Sequence, residues 1–128
     1  MKFFKPKSSN QSTGKFGEQI AQDYLKKQGY HILAQNLKSP FGEIDLVAKH
    51  QKTLVFIEVK TRRNTDFGFP EESVTEHKQI RLGRLASWYL KYESQWQDFP
   101  VRFDVIAIEL LEGKVEIRLI QNAFEVSS

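Results

Sequence analysis

GEIDLVAKHQKTLVFIEVKTR, Gly42 to Arg62, decides the fold of this chain. It reads as two β-strands, Gly42 to Lys49 and Thr53 to Arg62, joined by a short polar turn. Side chains alternate across a strand, so Ile44, Leu46 and Ala48 share one face and Glu43, Asp45 and Val47 the other. In the second run Val55, Ile57 and Val59 face one way, and Leu54, Phe56, Glu58, Lys60 and Arg62 the other. That second face passes from apolar to charged along its length. A strand behaves so when it leaves the core and opens into a cleft.

The turn controls how the charges meet. With Gln51 and Lys52 at its centre, Asp45 lies opposite Glu58. A three-residue turn would instead set Asp45 against Ile57. Like charges directly across a strand pair are destabilising, and burying an unpartnered carboxylate costs several kcal/mol. Something positive belongs between them. Lys60 is one candidate, and a divalent cation taking hard oxygen ligands is the other. A purely structural ladder, Asp with Lys and Glu with Arg, explains the pattern equally well.

Working outward, Phe16, Ile20, Ala21, Tyr24 and Leu25 repeat at the spacing of one buried helical stripe, predicting a helix from about Thr13 to Gln28. Thr13 suits its start, Lys26 and Lys27 its negative C-terminal end, and Gly29 its stop. Tyr30 to Leu37 reads as a short strand, broken at Ser39-Pro40. After the hairpin, residues 63–72 form a loop. Ser73 and Glu76 have capping-box spacing for a second helix running to about Glu93, with Leu82, Leu85, Ala86, Tyr89 and Tyr92 inward. Val101 to Leu110 is apolar on both faces, as an interior strand is, and Val115 to Gln121 follows a turn at Glu112-Gly113-Lys114. The order α-β-β-β-α-β-β predicts an α/β domain with a central mixed sheet of about five strands flanked by helices.

Residues 1–12 are polar and basic and read as a loose arm, leaving 13–128 as a single domain. The chain has 128 residues, 40% of them hydrophobic, enough for one real core. Its formal charge of +3 is compatible with an anionic partner without arguing for one. With no cysteine, disulfides, thiolate metal sites and cysteine nucleophiles are excluded. His31, His50 and His77 lack zinc-ligand spacing, and neither a Gly-rich phosphate loop nor a nucleophile elbow is present. The first residues contain no apolar run of signal-peptide length and nothing approaches a membrane span, so the expectation is a soluble, cytoplasmic protein.

The spacing of Asp45 and Glu58-Val59-Lys60 resembles the PD-(D/E)XK nuclease motif, and the element order resembles the restriction-endonuclease-like core. Closer still, the chain is similar to the YraN-type family of small predicted endonucleases, itself similar to archaeal Holliday-junction resolvases. The matching stretches are Gly14 to Glu18, Gly42 to Leu46, Phe56 to Arg62, Phe67 to Glu71, Lys78, Arg81 and Arg102 to Asp104. Ile44 stands where the general motif places proline. The resemblance implies Asp45 and Glu58 as ligands of Mg²⁺ or Mn²⁺, with the Val59 carbonyl as a further one. It makes Lys60 the residue that orients or deprotonates the attacking water, or stabilises charge on the phosphate. Glu18 joins as an outer ligand through water. The implied reaction is DNA phosphodiester hydrolysis, with branched DNA as a substrate class and a homodimer where a symmetric junction needs two sites. Arg62, Arg63, Lys78 and Arg81, with Arg84 on the same helix edge, read as a phosphate-contact surface. Asp104 reads as structural, bonded to a basic neighbour.

Overall fold

In the computed structural model, which describes residues 6–63 and 74–125, two helices enclose one five-stranded sheet. The elements are α1 (Pro6–Lys27), β1 (Tyr30–Ser39), β2 (Gly42–His50), β3 (Thr53–Arg63), α2 (Glu76–Tyr92), β4 (Val101–Leu111) and β5 (Lys114–Phe124), with a 3-10 turn at Ser94–Trp96. The sheet order is β1-β2-β3-β4-β5. Neighbours are antiparallel except β3 and β4, which run parallel. Parallel neighbours need a long crossover, and α2 lies within it. The observed order α-β-β-β-α-β-β is the expected one.

Each face of the sheet carries its own core. On one side Leu54, Phe56, Phe103 and Val105 pack with Leu82, Leu85, Ala86 and Tyr89 of α2. On the other, Val55, Ile57, Ile106 and Ile108 pack with Ala21 and Leu25 of α1. β4 is buried on both faces from Phe103 to Ile108, as its unbroken apolar run demands.

Several boundaries differ from expectation. α1 begins at Pro6, so Thr13 lies inside it and the arm expected over residues 1–12 overlaps its first turns, while residues 1–5 fall outside the described ones. Proline suits a first helical position because it lacks the N–H that would be left over there. Phe16 is 54% exposed and Tyr92 67% exposed, so neither joins the inward stripe. Tyr92 ends α2, past its packed turns, whereas Phe16 lies midway along α1 on its exposed side. The cap of α2 is Thr75, whose hydroxyl accepts the Lys78 N–H at 3.2 Å. Ser73, the expected cap, lies outside the described residues, as do Phe67 to Glu71. No described helix is long and apolar enough to cross a membrane.

Candidate functional site

The hairpin turn falls at Gln51 and Lys52, with His50 paired to Thr53 and Gln51 at φ 56°. The three-residue alternative is excluded. Pairing of β2 with β3 runs from that end to Leu46 opposite Ile57 and stops, one pair short of Asp45 and Glu58. β3 nevertheless continues along β4 as far as Arg63 opposite Leu110. β2 and β3 therefore part at Asp45, and the gap is closed by a side chain: Asp45 Oδ2 accepts the Val59 N–H at 2.7 Å.

The alternation of β1 and β2 also breaks here. Ile44 and Val47 pack on the α2 side while Leu46 and Ala48 pack on the α1 side. On β1, Ala34 and Leu37 both reach the α2 side, although regular alternation would separate them. Asn36, between the paired positions Gln35/Leu46 and Leu37/Ile44, takes a left-handed φ of 49°. Asparagine tolerates that conformation better than most residues. The switch of faces leaves Asp45 where β2 and β3 part, in electrostatic reach of Glu18 on α1 and Lys78 on α2.

Glu18 comes from α1 and Lys78 from α2. α1 lies hard against β3 at Gly17, where a Cβ would run into the Thr61 hydroxyl and come within 2.9 Å of Thr61 Cβ. Only glycine permits this approach, and the next residue is Glu18. Lys78, in the first turn of α2, donates from Nζ to Glu58 Oε2, and the two side chains are 26% and 16% exposed.

The charges do not balance. Burial, the Glu58 carboxylate and the Glu18 carboxylate push Asp45 up to about 6, against the opposing pull of the Val59 N–H and Lys78. Glu18, Asp45 and Glu58 formally contribute three negative charges, and Lys78 answers one. Among the described residues no group of three His, Asp or Glu side chains is arranged to hold a metal by itself. Asp45, Glu58 and the Val59 carbonyl are hard oxygen groups that could together hold a metal. That suits Mg²⁺, which keeps several waters and takes one or two carboxylates plus substrate phosphate. The residual formal charge of the cluster also matches a divalent cation.

Lys60 is partly buried on β3, opposite Ala107, and makes no ion pair among the described residues. Arg63 and Arg81 are exposed, and Arg62 is only 8% exposed. The Arg81 guanidinium lies over the β1–β2 turn, 3.8 Å from where a Gly42 Cβ would stand. The structure thus brings Asp45, Glu58, Glu18 and Lys78 into one electrostatic cluster, with Arg81 at its rim. Sequence reasoning missed the Lys78–Glu58 pair, the role of Gly17 and the kink at Asn36. The first two had a signal in the matching stretches, which include both Gly17 and Lys78.

A second polar cluster lies at the other end of the sheet. Asp104, 1% exposed, accepts from Arg102 Nε at 2.9 Å, the Tyr30 hydroxyl at 2.8 Å and the Asn122 N–H at 2.9 Å. Arg102 is the basic neighbour expected for it. Arg102 also reaches His50 Nδ1 at 3.0 Å, and the His50 ring stacks on Tyr30. Burial pushes the Tyr30 phenol up to about 12, so it remains a donor. Every group in this cluster satisfies another, which marks it as a buried strut.

A family model described as "Uncharacterised protein family UPF0102" matches residues 17–108. UPF0102 proteins of Syntrophotalea carbinolica, Syntrophomonas wolfei and Symbiobacterium thermophilum are 44%, 46% and 49% identical to the chain. These alignments cover 90%, 90% and 87% of this chain and 93%, 99% and 94% of those proteins. Among solved structures, Pyrococcus furiosus SfsA in complex with Ca²⁺ is similar at a TM-score of 0.39 and 14% identity. That likeness covers 91% of this chain and 65% of SfsA, a little under two thirds of the longer protein.

Proposed function

This chain belongs to the UPF0102 family, the YraN type, and we propose that it is a divalent-metal-dependent endonuclease acting on DNA. The observation that supports this most directly is the gap between β2 and β3. There Asp45, Glu58 and Glu18 lie in electrostatic reach of one another and carry more negative charge than Lys78 neutralises.

Asp45, Glu58 and the Val59 carbonyl would hold Mg²⁺ or Mn²⁺, with Glu18 contributing through water. A bound divalent cation would lower the pKa of a water and take up charge on the phosphate. The protein's own groups supply the rest. The Asp45 carboxylate is fixed by the Val59 N–H, so its free oxygen has a defined direction. Lys60 follows Glu58 by two residues on the same strand, which suits it to orient the attacking water or to meet the phosphate. Arg63 and Arg81 offer charge to the flanking backbone of the DNA. Asp45 and Glu58 are partly buried, and interactions between charges are stronger there than in open water.

A panel of linear, flapped and four-way-junction DNA with Mg²⁺ or Mn²⁺, run beside Lys60→Ala, tests this reading. Cleavage by the wild type and its loss in Lys60→Ala is the expected result. If the wild type cuts none of them, the nuclease reading fails. A second reading, a non-catalytic DNA-binding module, is favoured by one observation: Glu58 already has an ammonium partner in Lys78. DNA binding with a steep salt dependence and no cleavage would select it.

A further inference from the structure

Lys78 is in an unfavourable place for a lysine. α2 starts at Glu76 and is capped by Thr75, so Lys78 occupies the third helical position. The N-terminal turn is the positive end of the helix dipole, where a cation is disfavoured. What holds the ammonium there is Glu58, twenty residues earlier in the sequence, with Asp45 adding attraction.

The pair is neither sealed nor balanced. Both side chains retain contact with solvent, so the ammonium has a route out by rotation about its own four-carbon stem. It is attached to the carboxylate that would serve as a metal ligand. An ammonium and a divalent cation cannot both take the same lone pairs of Glu58.

We propose that Lys78 is a displaceable counter-ion: it holds Glu58 in place in the metal-free site and sets the affinity of that site for a divalent cation. This rests on the metal-dependent reading above. Lys78 is a positioning residue that acts through Glu58. Its release on metal uptake frees an ammonium beside the cleft, and a DNA phosphate is the natural acceptor for it. Metal and DNA would then bind cooperatively, each favouring the state in which Lys78 has left Glu58.

Calorimetric titration of the full chain with Mn²⁺ alone tests the proposal. Lys78→Met and Lys78→Gln are both measured, so that a folding failure of one leaves the other. Each is expected to bind Mn²⁺ about tenfold more tightly than the wild type, within the range of typical coupling between sites. Lys78→Arg keeps the charge and is expected to restore the wild-type affinity. A purely structural role for Lys78 would leave affinity unchanged or lower it, and either result overturns the proposal. If the wild type takes up Mn²⁺ in a Glu58-dependent way and the two neutral variants match it, the counter-ion alone is rejected. If neither the wild type nor any variant takes up Mn²⁺, the metal-dependent reading falls with it.

Discussion

Asp45 closes the sheet with its side chain: its Oδ2 takes the Val59 N–H at 2.7 Å where backbone pairing of β2 with β3 has ended. The carboxylate is therefore both a structural link and a candidate ligand. Both roles favour the ionised carboxylate, whereas burial and the Glu58 carboxylate favour the neutral acid.

The pH dependence of stability follows from that. Burial and Glu58 raise Asp45 from 3.8 to about 6. An acid raised in the folded state gives stability that is complete below its unfolded pKa and lost as pH rises through its folded one. The window is therefore from about pH 4 to pH 6. Asp45→Asn keeps an acceptor for the Val59 N–H and removes the charge. We expect it to be more stable than wild type at pH 8, by about 1–2 kcal/mol after allowance for partial exposure, and no more stable at pH 4. Denaturant unfolding at the two pH values reads this directly. An equal difference between the two proteins at both would contradict it.

Loss of a ligand or of Lys60 should remove activity without removing the fold. Asp45→Ala, Glu58→Ala and Lys60→Ala are each expected to lower cleavage by at least about a hundredfold, the usual scale for one preorganised charge. Circular dichroism should show unchanged secondary structure. Cleavage that survives Glu58→Ala would move the site elsewhere.

Gly17 is expected to resist substitution for a reason opposite to helix propensity. Gly→Ala inside a helix ordinarily stabilises by about 0.5–1 kcal/mol. Here the added Cβ meets Thr61, so Gly17→Ala should cost about 1–3 kcal/mol, as overpacking does. Thr61→Ala in the same chain removes the hydroxyl and methyl that the new Cβ meets and should recover part of the loss. Strict additivity of the two substitutions in a double-mutant cycle would mean that the contact is not the cause.

Asp104 separates stability from function. Asp104→Ala leaves Arg102, Tyr30 and the Asn122 N–H without their shared acceptor. We expect a loss of about 3 kcal/mol, the scale of breaking a buried ion pair. Mn²⁺ affinity should be unchanged, since the strut lies at the opposite end of the sheet. Tyr30→Phe, which removes one donor, should cost about 1 kcal/mol.

By itself, the amino-acid sequence determined the element order and the alternation of faces along β3, and it left the hairpin turn open between two residues, Gln51 and Lys52, and three. These follow from local chemistry: apolar residues at period two, and polar residues where the chain must reverse. The residues of the candidate site were also legible, because a carboxylate within an apolar strand conflicts with its surroundings and so stands out. Less was legible of which spaced apolar positions reach the core: Tyr92 ends α2 past its packed turns, and Phe16 sits on the exposed side of α1. Only the tertiary structure decided what stands next to what. It parts β2 from β3 one pair before Asp45, turns Asn36 left-handed so that the strand changes face, and presses Gly17 onto Thr61 so that Glu18 arrives. It also gives Glu58 to Lys78 rather than to Lys60. The physical reason is range. Propensity and periodicity act over a few residues, whereas the packing of helices on the sheet that brings residues 18, 45, 58 and 78 together acts through space, between layers that only a folded sheet brings into register, and it does so against the repulsion of three carboxylates.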